Sequence, residues 1–203
     1  MAEFRLMYSP ASPFVRKVMV TLIETGQRDE VELVESEGSP TAPDPRRAMV
    51  NPLGKVPALT RPDGPALFDS RVICRYLDAR AAGGLYPESR LWEVLTLEAL
   101  ADGIMEAAVL MVYERRCRTP EEVSEAWVAA QWAKVAAALD AAEGHWTSHL
   151  AGRLTAAQVA LGCALGYLDL RHAARDWRRG RPTLAAWEEG FAARPSMAAT
   201  RAG

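Results

Sequence analysis

Phe4, Leu6 and Tyr8 alternate with Arg5 and Met7 in a short run that stops at Ser9-Pro10, which predicts a strand. Ser12-Pro13 then places a preferred cap residue before a proline at the first helical position. FVRKVMVTLIET follows with Val15, Val18, Leu22 and Ile23 on one side, and Gly26 closes this helix. Glu30 to Glu35 alternates acid and apolar residues and predicts a partly exposed strand. A loop rich in Pro, Ser and Asp over 36–45 leads to a short helical piece at Arg46–Met49 and to Asn51-Pro52-Leu53-Gly54. Val56 to Arg61 is a third strand. Pro62-Asp63-Gly64 turns the chain, and Ala66 to Phe68 returns. Asp69-Ser70 caps a helix, SRVICRYLDARA, with Val72, Ile73, Tyr76 and Leu77 on its apolar side.

After Ala81-Ala82-Gly83-Gly84 the period changes from two to about 3.6. Leu91, Leu95, Ala99 and Met105 mark one long helix to about Arg116, stopped by Thr119-Pro120. Pro120-Glu121-Glu122 is expected to open a second helix, which carries Trp127, Trp132, Val135 and Leu139 and ends near His145. Thr155-Ala-Ala-Gln158 has capping-box form ahead of the apolar segment VALGCALGYL. Arg181-Pro182-Thr183 restarts a final helix with Leu184, Trp187 and Phe191. The expected architecture is an α/β thioredoxin-like N-terminal domain over 1–81, a linker over 82–88 and an all-α C-terminal helical domain over 89–203.

Composition narrows the function classes. The 203 residues supply ample core, and 24 Lys+Arg against 26 Asp+Glu leave −2, so no global field asks for nucleic acid or an anionic membrane. No apolar run approaches the roughly 20 residues that span a bilayer, and MAEFRLMYSP does not read as a secretory signal. The three cysteines, Cys74, Cys117 and Cys163, are far apart and form neither a disulfide framework nor a metal pattern. His145, His149 and His172 have no persuasive metal spacing either. A cytoplasmic protein without metal is expected. The basic stretch RHAARDWRRGRP at 171–182 reads as a solvated helix end and loop rather than a nucleic-acid contact.

Three segments of the first half carry candidate chemistry. Ser12 begins a helix, where unpaired N–H groups and the macrodipole favour an anion; it either only caps the helix or donates to a thiolate there. Val56-Pro57 opens a strand. A trans bond there makes an ordinary loop, whereas a cis bond would leave the Val56 backbone free to pair with an extended peptide. Asp69 and Ser70 begin another helix, either as plain caps or as a grip on an ammonium and a carboxylate.

SPFVRKV, NPLGKVPAL and LFDSRVICRYL, in this order, resemble the first-helix, cis-proline and γ-glutamyl-binding segments of the glutathione transferase family. LYPES resembles the link to that family's helical domain. EALADGIMEA, then ALGYLDLR and RPTL, are similar to its bacterial YibF-like subgroup. The resemblance spans essentially the whole chain. It implies a homodimer that takes glutathione as co-substrate and conjugates its thiolate to a small apolar electrophile held between domains.

It also implies roles. Ser12 stands where Ser-type members keep the residue facing the sulfur, with Ser9 and Tyr8 as runners-up, and Phe14 follows in the same segment. Val56, before Pro57, would pair with the cysteinyl part, and Asp69 and Ser70 with the γ-glutamyl end. Asp102 resembles an acid that some classes extend across the dimer interface, and Lys55 or Arg47 would meet the glycine carboxylate. Met105, Ala108, Val109 and Val112 would form the acceptor wall, although apolar residues at that spacing also suit a core. With Ala11 and Ser12 the first turn has no cysteine, which argues against thiol–disulfide chemistry, and SPAS stands where isomerase-type members carry SSCS. Two other readings accompany this one: a glutathione-binding protein with a regulatory role, and a different glutathione-dependent enzyme such as a peroxidase, dehalogenase or isomerase.

Overall fold

The computed structural model describes residues 3–201; the outermost ends of the two expected domains lie outside the described residues. The chain forms two compact units, one running to Pro87 and joined again by the chain from Thr200, the other Glu88–Ala199.

The first unit is built on a four-stranded sheet. In chain order it contains β1 (Phe4–Tyr8), α1 (Pro13–Glu24), β2 (Val31–Glu35), a small hairpin of β3 (Gly38–Ser39) and β4 (Ala42–Pro43), α2 (Pro45–Val50), β5 (Ala58–Arg61), β6 (Gly64–Leu67) and α3 (Ser70–Ala81). The sheet order is β2-β1-β5-β6. β1 runs parallel to β2, with Phe4 opposite Val31, and antiparallel to β5, with Leu6 opposite Leu59. β6 is antiparallel to β5, with Leu59 opposite Leu67. Phe4 and Leu6 of β1 enclose a core with Val18 and Leu22 of α1, Leu59 of β5, and Ile73 and Leu77 of α3. This is the thioredoxin-like arrangement expected from the element order.

The second unit is helical: α4 (Leu91–Arg116), α5 (Glu125–His145), α6 (Thr147–Leu150), α7 (Ala156–His172), α8 (Pro182–Ala192) and α9 (Pro195–Ala199). α7 is its buried axis, with every residue from Ala156 to Leu165 inside. A Cβ on Gly162 would lie 2.6 Å from the Phe191 ring and 3.1 Å from Met197 Cε, so this glycine is what lets α7 meet α8 and α9.

Several expectations change in detail. The predicted loop over 36–45 contains the β3–β4 hairpin. β5 begins at Ala58 rather than Val56, because Pro57 has no N–H to give a ladder. Pro120–Glu122 is only a 3₁₀ turn with its own Thr119/Glu122 capping box, after which Val123 is extended. The true N-cap of α5 is Ser124, whose Oγ accepts from Trp127 N–H while its own N–H donates to Glu114. Val72, expected on the apolar side of α3, is 47% exposed. The tryptophans divide: Trp177 is a buried anchor, but Trp92 is 77% exposed.

Candidate functional site

Topology gathers the three candidate segments of the first unit. β1 runs antiparallel to β5 and β5 antiparallel to β6, so β1 ends, β5 begins and β6 ends at one edge of the sheet. Ser9–Ser12, Val56-Pro57 and Phe68–Ser70 all leave the sheet there. Loops at strand ends, held by a rigid sheet, are where an α/β unit places ligands.

Ser12 is the N-cap of α1, with extended backbone and Pro13 in the first turn. Its Oγ accepts from Val15 N–H at 3.3 Å, and its own N–H donates to Ser9 C=O at 3.1 Å. The hydroxyl proton meets no acceptor among the described residues. A hydroxyl has one donor and two acceptor sites, so this proton is free to point off the helix tip. Ser9 is also half-exposed and its hydroxyl makes no hydrogen bond there, but it caps nothing. Tyr8 is engaged, its OH donating to Glu35 at 3.3 Å. Partial burial and then the Glu35 charge push its pKa up. Phe14 is half-buried in the first turn of α1.

The second segment is organised by Asn51, a buried residue. Its N–H donates to Arg47 C=O at 2.7 Å, its C=O accepts from Gly54 N–H at 2.8 Å, its Oδ1 accepts from Leu53 N–H at 3.0 Å, and its Nδ2 donates to Lys55 C=O at 3.0 Å. Gly54 takes φ +64, the left-handed turn this loop requires. The Val56–Pro57 peptide bond is cis. Val56 is half-buried, and neither its N–H nor its C=O is hydrogen-bonded among the described residues. Lys55 is exposed and has no ion-pair partner among them. Arg47 is different: it is buried, with Nε on Ser36 Oγ at 2.8 Å and Nη2 on Ser36 C=O at 2.9 Å.

In the third segment the Phe68–Asp69 bond is also cis, and Asp69 caps α3 by accepting from Arg71 N–H at 3.0 Å. Its carboxylate pairs with the Arg71 guanidinium at 2.9 Å, on the surface. Burial pushes the Asp69 carboxyl up. Hydrogen bonds from the Arg71 side chain and backbone, with the charges of Arg71 and Lys17, outweigh that and hold its pKa below the ordinary value. Ser70 is 2% exposed, and its hydroxyl makes no hydrogen bond with the described residues. Among the described residues no buried side-chain oxygen or nitrogen lacks a partner, so this hydroxyl keeps a little open surface.

The remaining expected residues belong to α4. Asp102, Met105 and Ala108 are fully buried, whereas Val109 and Val112 keep part of their surface. Of the arginines at 171–182, Arg178 binds Asp169 and Glu188, Arg181 binds Asp140, and Arg175 lies over the Trp132 ring at 5.0 Å. No group of three His, Cys, Asp or Glu side chains suited to a metal occurs among the described residues. Within the same bounds, no helix is long and apolar enough to cross a membrane. Sequence reasoning missed Asn51 and Arg71. Arg71 was legible as a cation in the first turn after Asp69. Asn51 was not, because a buried amide has no signature apart from the loop that closes over it.

Residues 11–80 match the family model for the glutathione S-transferase N-terminal domain, and residues 125–190 the one for the C-terminal domain. The chain is 36% identical to the uncharacterized GST-like protein YibF of Escherichia coli strain K12, with 97% of each chain covered. It is similar to the crystal structure of a glutathione transferase family member from Pseudomonas fluorescens Pf-5 with bound glutathione. That likeness has a TM-score of 0.96 and 48% identity over 98% of this chain and 99% of the other. It is likewise similar to a glutathione S-transferase from Methylobacillus flagellatus KT with glutathione bound, at TM-score 0.88 and 36% identity over 98% and 100% of the two chains.

Proposed function

The chain belongs to the glutathione S-transferase family, and on that premise we propose that it binds glutathione at the sheet edge of its first unit and activates the thiol for attack on a small apolar electrophile. The observation that carries this reading is Val56: a backbone N–H and C=O, both unpaired, at the mouth of a strand. An extended peptide satisfies such a pair by adding itself as a short strand. The cysteinyl residue of glutathione fits this role. The Ser70 hydroxyl and the N-terminal N–H groups of α3 suit the γ-glutamyl carboxylate, and Asp69 its ammonium, which would share the carboxylate with Arg71. Lys55 takes the glycine carboxylate, since Arg47 is committed to Ser36.

The chemistry then falls to Ser12. A free thiol with pKa near 8.5 is only a few per cent thiolate at neutral pH. Lowering it by about two units requires roughly 2.7 kcal/mol of differential stabilisation. A hydrogen bond to an ionised acceptor contributes roughly 1.5–3 kcal/mol, and the α1 terminus adds its dipole. Ser12 already accepts from Val15 N–H, which polarises its O–H and strengthens it as a donor. No proton need leave the serine. The thiol loses its proton to solvent, and the thiolate, held by the Ser12 O–H, forms a C–S bond at the electrophilic carbon. That carbon either expels its leaving group with the bonding pair or, in a polarised alkene, passes the π pair to the neighbouring carbon for protonation by solvent.

Val109 and Val112 of α4 suit the apolar wall, with the buried Met105 and Ala108 as its core. A homodimer belongs to the same proposal, but the expected cross-subunit part for Asp102 does not, because that side chain is buried within its own chain and has almost no surface to offer a partner. Calorimetry with glutathione, then turnover on a panel of electrophiles, tests it. Uptake with conjugation supports the reading. Uptake without turnover reduces it to a binding role, and no uptake ends it.

A further inference from the structure

The Asn51 side chain does more than close a loop. Its amide donates to Lys55 C=O, and that carbonyl shares a peptide plane with Val56 N–H. Among the described residues only the Val56–Pro57 and Phe68–Asp69 bonds are cis, so the Lys55–Val56 bond is trans. In a trans peptide the C=O and the N–H point in opposite directions. Holding the Lys55 carbonyl inward, onto a buried amide, therefore aims the Val56 N–H the opposite way, where no group among the described residues receives it. The plane turns only about ψ of Lys55 and φ of Val56. Val56, before proline, is confined to extended backbone, and on the other side the exposed Lys55 has no packing of its own, so the amide is what fixes that side.

The amide is itself well fixed. Its Oδ1 accepts from Leu53 N–H, which settles which atom is oxygen and which is nitrogen, and the residue's backbone is tied to Arg47 and Gly54. Arg47 in turn is pinned to Ser36, whose N–H donates to Tyr8 C=O at 2.8 Å at the end of β1. A rigid chain of bonds thus runs from the central strand to one peptide plane.

We propose that Asn51 is the positioning residue for the glutathione-binding backbone: it sets the orientation of the Val56 N–H that receives the cysteinyl carbonyl. The inference rests on the glutathione reading above. Asn51→Asp is the sharpest variant, since it keeps the shape and the acceptor for Leu53 N–H but has no donor for Lys55 C=O. It should raise the Kd for glutathione by about tenfold, the size expected when one well-formed hydrogen bond is lost. Nuclear magnetic resonance supplies the readout that a general loss of structure would not mimic. In the wild type, adding glutathione should move the Val56 amide proton downfield. In Asn51→Asp that movement should shrink, while the core amides of Val18 and Leu59 keep their positions.

The wild-type measurement stands even if the variant does not fold: glutathione binding with an unmoved Val56 amide overturns the inference. So does a variant that binds as tightly as the wild type. Failure of the wild type to bind glutathione at all overturns the binding reading, and the positioning role with it. The glutathione reading alone survives if the wild type binds but Asn51 proves neutral.

Discussion

At the scale of single residues the site is defined by which polar groups already have partners. Ser12 has spent one lone pair on Val15 N–H and kept its proton. Replacing it with alanine removes both the cap and the free donor. Ser12→Ala should lower stability by about 1 kcal/mol, as loss of an N-cap does, and leave glutathione affinity within a few fold. The ultraviolet thiolate absorbance of the bound complex at neutral pH should largely disappear, and an unchanged absorbance would remove Ser12 from the mechanism. The two basic candidates separate by the same logic. Lys55→Ala should weaken glutathione binding with little change in melting temperature. Arg47→Ala should instead lower the melting temperature, because Ser36 loses two hydrogen bonds in a buried place. Paired calorimetry and thermal melts distinguish them. From the sequence both were simply cations near the loop; only burial ranks them.

At the scale of elements, α7 carries the clearest structural logic of the second unit. The Thr155/Gln158 capping box forms, with Thr155 N–H on Gln158 Oε1 at 2.6 Å, and His149 extends it. Arg90 can only donate, so His149 Nδ1 accepts from it at 2.8 Å and Nε2–H donates to Thr155 Oγ1 at 3.1 Å. Protonation would set an N–H against the guanidinium. Burial first, then the Arg90 charge, hold the His149 pKa below 6.5, with Glu93 opposing. A histidine with a lowered folded-state pKa binds more protons when unfolded, so its contribution is complete above 6.5 and is lost as pH falls toward the lower folded value. Denaturant melts should show stability falling with pH in that window, and His149→Gln should flatten the dependence. Gly162→Ala tests the neighbouring contact. Helix propensity favours alanine by about 1 kcal/mol, but overpacking against Phe191 costs about 1–3 kcal/mol, so the melting temperature should fall. The capping box was legible because its partners are three residues apart in sequence. His149 and Arg90 are far apart in sequence, and their pairing was not.

At the scale of the whole molecule, one surface asks for a partner. Trp92, Thr96, Ala99, Gly103, Glu106 and Leu110 recur three or four residues apart along α4, and all are exposed. An uninterrupted line with Trp92 at one end, Leu110 at the other and small residues at its centre suits close approach of a second copy, in keeping with the proposed homodimer. A Cβ on Gly103 meets nothing within 4 Å, so Gly103→Arg leaves the fold alone. Light scattering should give a dimer for the wild type and a shift toward monomer for this variant. A variant that stays fully dimeric would move the interface elsewhere.

The sequence by itself determined the period of each segment, the caps at Ser12, Asp69 and Thr155, and hence a thioredoxin-like unit followed by a helical one. These depend on neighbours within one turn or one strand, where spacing along the chain and spacing in space are nearly the same thing. Only tertiary structure decided that Val72 and Trp92 face outward, that Pro120 opens a mere 3₁₀ turn, that Arg47 is bound to Ser36 while Lys55 has no ion-pair partner among the described residues, and that the Asn51 amide holds the Lys55 carbonyl. Each of these turns on which groups burial and folding bring within hydrogen-bonding reach. A hydrogen bond depends on that distance and direction, and residue order alone contains neither.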